Sequence, residues 1–448
     1  MKIEIAGAGA GKTTNLAQKI ISCYMSEKNK IIYCVSFTNS SVQTITEKLE
    51  AYFGVIPDNI RISTIHSFLY TEIISPYFYL LYGKQYHDVV NTPLNSNPRF
   101  KRHSLKQLEE KGLLHVVSFT EKAKFVICGK SGEKKAIREK RKKLVKLFLN
   151  SFHTLFIDEA QDIDQLFKKI LIELDSQGSK IQLIGDPKQD LRGFETLQNL
   201  IELFPDDVNY LANCHRCASV HLKLSNYFIS EKERQISPTD KLGSLNYYFE
   251  SDIDDPNIFI KEQVYDLVYI YRKSGDYSTK KSNEKNYLFE ELKLFIRKLA
   301  QIEGKDVDEN QIRIIASKLS VKLQNLVLKN GRSYNEALNQ IFGKIEDKSD
   351  YAKLKVALEM ETKINPNQGT LVSSIERVKG LGKPKCLFIV TPALLPYFFK
   401  EKVDGKVAAC LYVALTRSEF QLDLLFTKDV EKKYSKERII EFMINILS

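Results

Sequence analysis

No apolar run in the 448 residues approaches the ~20 needed to span a bilayer. No secretory signal precedes the first expected strand, residues 2–5, which leads straight into a glycine-rich turn. The seven cysteines are scattered without framework spacing and read as reduced thiols. Cys214-His215-Arg216-Cys217 looks like half of a zinc site, but no second Cys/His pair stands at ligand spacing, which excludes zinc. These absences predict a soluble, cytoplasmic protein with no membrane partner. Acidic residues are outnumbered, 56 against 67 Lys and Arg, for a net charge of +11. That balance suggests a polyanionic partner without identifying one, and lysine-rich usage throughout the chain accounts for it as well.

Hydrophobic residues make up 43% of the chain, enough for a large core and two or more domains. The stretch around which the rest is organised is Ala6-Gly7-Ala8-Gly9-Ala10-Gly11-Lys12-Thr13-Thr14. A strand, a glycine-rich turn and a helix start make a phosphate cradle, in which backbone N–H groups and the helix N-terminus face an anion. Lys12 can reach the β- and γ-phosphates and the Thr13 hydroxyl can ligate Mg²⁺. Ala6 stands where the usual pattern has glycine, and alanine fits there if its backbone is not left-handed.

Further along, continuous apolar runs at 31–37 and 154–157 and a third at 180–184 read as buried parallel strands. Thr38-Asn39 after the first run fits either a ligand contact at the carboxyl end of a strand or capping of the next helix. A short strand at 60–63 leads to Thr64-Ile65-His66-Ser67. The second run ends in Asp158-Glu159-Ala160-Gln161-Asp162, where two adjacent carboxylates can hold a cation and orient a water. The third ends in Gly185-Asp186-Pro187-Lys188-Gln189, followed by Arg192-Gly193-Phe194. Residues 134–146 predict a strongly basic helix with a narrow apolar stripe of Ile137, Leu144 and Leu147; it is either a phosphate-contacting face or a solvated one.

The motif order resembles the UvrD/Rep-type superfamily-1 helicases. Asn213–Cys217 is similar to that family's fourth motif, Ser374–Leu381 loosely to its Thr-Ile-His-x-Ala-Lys-Gly-Leu motif, and Leu411–Ser418 closely to its last. The resemblance implies an α/β fold of two RecA-like parallel-sheet domains, each with an inserted, mainly helical subdomain. The first would be 1–69 plus 151–211, with a basic helical insertion at 70–150. The second would be 212–276 plus 366–448, with a short helical insertion at 277–365. It also implies ATP and Mg²⁺ between the domains. Ala6, Gly7, Ala8, Gly9, Ala10, Gly11, Lys12, Thr13 and Thr14 would hold nucleotide, with His215 and Gly380. Thr13 and Asp158 would hold the metal, Glu159 the water and Gln189 the γ-phosphate. Arg216 and Arg417 would be arginine fingers, Arg417 following a buried strand at 410–415. Thr38, Asn39, His66 and Phe194 would line a single-stranded DNA track.

Departures from the family concentrate outside the hydrolytic centre: no adenine-reading glutamine segment ahead of the loop, His215 for a stacking tyrosine, Glu376 for a histidine and Gly382 for a glutamate. Within the family, residues 64–76 and Arg216-Cys217 look most like the helicase-like subunit of the Gabija anti-phage system, which works with an OLD-type nuclease bearing a Toprim domain. The expected function is therefore an ATP-dependent DNA helicase or translocase in defence. The alternatives are a DNA-end-sensing ATPase subunit with little unwinding and a stand-alone repair helicase. A small-molecule P-loop kinase explains neither Arg417 nor the motif order.

Overall fold

The computed structural model describes residues 1–274, 277–279, 287–304, 307–328, 330–362 and 370–447. The expected domain boundaries at 276 and 365–366 lie outside these described residues. Two compact units are present: Met1–Gly83 with Thr120–Lys280 and Gly369–Ser448, and Lys84–Phe119 with Lys281–Gln368.

The first unit holds two six-stranded sheets, in which all the strand pairs are parallel, as in RecA-like α/β folds. The N-terminal sheet is built from β1 (Lys2–Ala6), β2 (Ile31–Ser36), β3 (Ile60–Thr64), β4 (Phe152–Ile157), β5 (Lys180–Gly185) and β6 (Val208–Leu211), in spatial order β3-β2-β4-β5-β1-β6. These strands are apolar runs because helices cover both faces of a parallel sheet. Helices α1 (Lys12–Ser26) and α2 (Asn39–Phe53) bury Leu16, Ile20, Ile45 and Leu49 against Ile32, Cys34, Phe156 and Ile184. Order β3-β2-β4-β5-β1-β6 brings the carboxyl ends of β1, β4 and β5 side by side, where such sheets bind ligands.

The C-terminal sheet comprises β7 (Ser244–Phe249), β8 (Leu267–Ile270), β9 (Tyr277–Thr279), β10 (Thr370–Ser374), β11 (Lys383–Val390) and β12 (Ser418–Phe426), ordered β9-β10-β8-β11-β12-β7. Its core includes Tyr269 stacked on Phe388, 5.5 Å between centroids.

Two expectations are corrected. Residues 410–415 are not a strand but the end of helix Lys406–Leu415, here α4. A six-residue apolar run suits a buried helix as well as a buried strand, and all six side chains are buried. The basic helix α3 (Lys135–Ser151) is present; of its expected stripe Ile137 and Leu144 are half-buried and Leu147 is exposed, while the buried positions are Val145 and Phe148, with Phe148 packed on Tyr33 and Phe152. The buried face is thus centred one position beyond Leu144 and Leu147.

In the second unit, helices Tyr287–Ile302, Glu309–Leu328, Tyr334–Phe342 and Lys348–Thr362 enclose Leu288, Leu292, Leu323 and Leu358. The short parallel strands Asp88–Val90 and Leu113–His115 join them, with Asp88 paired to Arg297 at 2.5 Å. No helix among the described residues is long and apolar enough to cross a membrane.

Candidate nucleotide site

β1 delivers the chain to the glycine-rich loop. Gly9 and Gly11 have φ of 70° and 74°, a region glycine enters without steric cost, while Ala6 is not left-handed. The loop therefore keeps the cradle backbone with alanine in its first place. The Lys12 ammonium folds back and donates to the Ala6 and Gly7 carbonyls at 3.2 and 3.3 Å. Thr13 is half-buried and Thr14 exposed on the first turn of α1, and Ala10 and Gly11 border a cavity of about 480 Å³. Thr14, Asn15, Gln18, Tyr210, Asn213 and His215 also line that cavity. His215 is pinned to the loop, its N–H donating to the Gly9 carbonyl at 2.8 Å.

The neighbouring strand ends supply carboxylates. Asp158, 1% exposed, follows β4, and its Oδ1 has no hydrogen-bond partner. Burial and the adjacent Glu159 push its pKa up. An orphaned buried carboxylate oxygen is costly unless a cation serves it, so Asp158 fits a metal ligand. Among the described residues no group of three or more His, Cys, Asp or Glu could hold a metal ion by itself. Glu159 behaves oppositely: burial would raise its pKa, but Lys12, Lys379 and the Gln161 amide outweigh it and hold the carboxylate ionised. Its φ of 55° is a left-handed strain on a non-glycine residue, and Gln161 clamps it by donating to its carboxylate. The Gln161 Oε1 in turn accepts from the Asp186 N–H at 2.9 Å.

After β5, Asp186 is fully buried; burial alone would raise its pKa, but Lys188 and Lys12 bring it down. Gln189 donates to the Asp186 Oδ2 at 2.8 Å, so it is engaged with this carboxylate. Lys188 bridges Asp186 at 2.9 Å and Glu233 at 3.2 Å.

Segments beyond β6 close over the loop. The Ala8 N–H donates to the Tyr412 hydroxyl at 3.1 Å, and the Cys214 thiol donates to the Ala8 carbonyl at 3.1 Å. Arg216 packs on Gly9, where an added Cβ would stand 2.5 Å from the Arg216 Cβ, and its guanidinium donates to the Gly380 carbonyl at 3.3 Å. Lys379 reaches Asp162 at 2.8 Å. Arg417 is fully buried and turned inward: it donates to the carbonyls of Val413, Val378 and Leu381 and to the Thr416 hydroxyl. Burial and Arg216 push it down to about 10. Thus Lys12, Asp158 and Glu159 are brought together, with Arg216 and His215 against the loop, while Gln189 and Arg417 are committed to protein partners.

Thr38 and Asn39 are exposed after β2, and the Thr38 hydroxyl caps α2 by accepting from the Ser41 N–H at 3.1 Å. His66 is exposed on the short helix Ile65–Phe68. Phe194 is half-buried, and Arg192 lies 5.9 Å from its ring and 5.6 Å from that of Phe37. Asp190 folds that turn by accepting from the N–H groups of Arg192, Gly193 and Glu195.

Sequence reasoning missed Gln161, Asp186, Lys188, Gln235 and Tyr412. Gln161, Asp186, Lys188 and Tyr412 all stand inside the motifs, and for the first three the strand-end position was the available signal. Nothing local marked Gln235.

Residues 1–195 match the family model described as an AAA domain, AAA_19. Among solved structures, the chain is similar to the Arterivirus nonstructural protein 10, a helicase, in complex with DNA, at a TM-score of 0.37 and 10% identity. The match covers 94% of this chain and 60% of that one, so it spans less than two thirds of the viral helicase's length. No curated protein matches by sequence.

Proposed function

We propose that the chain is a superfamily-1 helicase-like ATPase that hydrolyses ATP in response to DNA. The observation that supports this most is the convergence of Lys12, Asp158 and Glu159 on the glycine-rich loop, with Arg216 and Lys379 reaching the same strand ends from beyond β6. Thr13 and Asp158 would hold Mg²⁺, which neutralises charge on the β- and γ-phosphate oxygens. The Lys12 ammonium leaves the loop carbonyls for phosphate oxygens. Glu159, ionised and clamped by Gln161, orients the attacking water and takes its proton. The Arg216 guanidinium lies beside Gly9 and supplies positive charge as the γ-phosphoryl group transfers. Arg417 braces the two loops that carry Lys379 and Thr416. His215 and Tyr210 offer flat surfaces to the base in the cavity beside α1.

The +11 net charge, with exposed Thr38, Asn39 and His66 and the Phe37–Arg192–Phe194 cluster, supports a single strand or DNA end as the activating partner. The finer assignment, anti-phage defence with an OLD-type nuclease, rests on residues 64–76 and Arg216-Cys217, and co-purification with such a nuclease tests it.

The decisive measurement is ATP hydrolysis with and without single-stranded DNA. The expected result is Mg²⁺-dependent, DNA-stimulated turnover that falls at least about 100-fold in Lys12→Ala and in Glu159→Gln. Turnover indifferent to both substitutions overturns the reading. A duplex-unwinding assay separates a motor from a DNA-sensing subunit.

A further inference from the structure

Ala8 sits in the glycine-rich loop between Gly7 and Gly9, and both of its backbone polar groups are taken by side chains from the C-terminal half. Its N–H donates to the Tyr412 hydroxyl at 3.1 Å. The Tyr412 hydroxyl donates to the Gln235 Oε1 at 2.9 Å. The Gln235 Nε2 donates back to the Ala8 carbonyl at 3.1 Å. The three bonds form a closed ring in which every donor meets an acceptor, and the ring fixes which end of the Gln235 amide faces which partner. All three residues are buried.

The surroundings are shaped for this ring. A Cβ at Gly7 would stand 2.3 Å from the Gln235 Cδ and 2.5 Å from both of its terminal atoms, so Gly7 leaves the space that the amide fills. Asn226 pins Gln235 from behind, accepting from its N–H at 2.9 Å and donating to its carbonyl at 2.7 Å. Tyr412 projects from α4, and the Lys188 ammonium lies 5.3 Å from its ring. Burial pushes the phenol well above its ordinary pKa, so the hydroxyl stays protonated. The ring therefore joins the loop after β1, the segment before β7 and helix α4.

Loop amides of a strand–glycine–helix cradle are the donors that a phosphate needs. We propose that Tyr412 and Gln235 form a latch on the glycine-rich loop, in which the Tyr412 hydroxyl and the terminal phosphoryl group of a nucleoside triphosphate compete for the Ala8 N–H. A triphosphate opens the ring and frees the Tyr412 and Gln235 side chains from the loop; a diphosphate, lacking that phosphoryl group, leaves it closed. Tyr412 and Gln235 are thus positioning residues through which the C-terminal half reads the phosphate number. The inference rests on the ATPase reading above.

The test is calorimetric titration of the full chain with Mg²⁺ and either ADP or the β,γ-imido analogue of ATP. Tyr412→Phe keeps the aromatic side chain and removes the hydroxyl, which opens the hydrogen-bonded ring. The expected result is tighter binding of the imido triphosphate, by about three- to tenfold for one lost competing hydrogen bond, with ADP affinity unchanged. Gln235→Ala is expected to shift the same ratio in the same direction, and it decides the matter if Tyr412→Phe fails to fold. An unchanged or weakened triphosphate affinity, or an equal shift for both nucleotides, overturns the latch. Wild-type protein that binds neither nucleotide overturns the ATPase reading instead, and the latch with it.

Discussion

Lys188 is a nearly buried cation between Asp186, which is fully buried, and Glu233. Burial alone would lower its pKa, but the two carboxylates outweigh that and raise it. Removing one member of such a group leaves a charge without compensation, which costs about 3–5 kcal/mol. Lys188→Ala is therefore expected to lower the denaturant midpoint markedly, and adding Asp186→Asn to recover part of the loss. Equal midpoints for wild type and Lys188→Ala would show the triad to be energetically idle. The same residue illustrates what sequence can and cannot disclose. Lys12, Asp158 and Glu159 were legible because their chemistry is written in consecutive positions after an apolar run. The partners of Ala8 were not: Gln235 is 227 positions away and Tyr412 is 404 away, and no local pattern connects them. Arg417 was legible as a functional candidate from its motif. Its inward turn onto three carbonyls depends on tertiary packing that the motif does not encode.

At the scale of elements, β2, β4 and β5 followed from continuous apolar runs, whereas β6 and α4 did not. The buried stretch of α4 is uniformly apolar, so neither a period of two nor one of 3.6 distinguishes strand from helix. The helix Ser219–Tyr227 carries a different liability. His221 is fully buried, with one ring nitrogen 2.9 Å from the Ser244 carbonyl. Burial lowers its pKa below the ordinary 6.5. The folded chain thus binds this proton less tightly than the unfolded chain does. The corresponding stability is full above pH 6.5 and is lost as pH falls below it. The drop in melting temperature between pH 7.5 and pH 5.5 is expected to shrink in His221→Gln. A drop of wild-type size in that variant would assign the acid sensitivity to other groups.

For the whole molecule, the +11 net charge bears on the proposed DNA response. Each phosphate neutralised on a single strand contributes about −0.7 to the slope of log affinity against log salt. Single-strand affinity and the DNA-stimulated part of the hydrolysis rate are expected to fall together as salt rises, with the DNA-independent rate far less affected. A salt-independent stimulation would argue against phosphate contacts. The chain order has a further consequence. The second unit draws on Lys84–Phe119 and Lys281–Gln368, separated by about 160 residues of the first. On a ribosome adding about 5–20 residues per second, the earlier piece emerges roughly 10–30 s before its partner is made. During that interval Asp88 has no Arg297 to meet, and the strand pair at Asp88–Val90 and Leu113–His115 stands without the helices that complete its unit. The nascent protein thus carries this segment without the rest of its unit through much of its own synthesis.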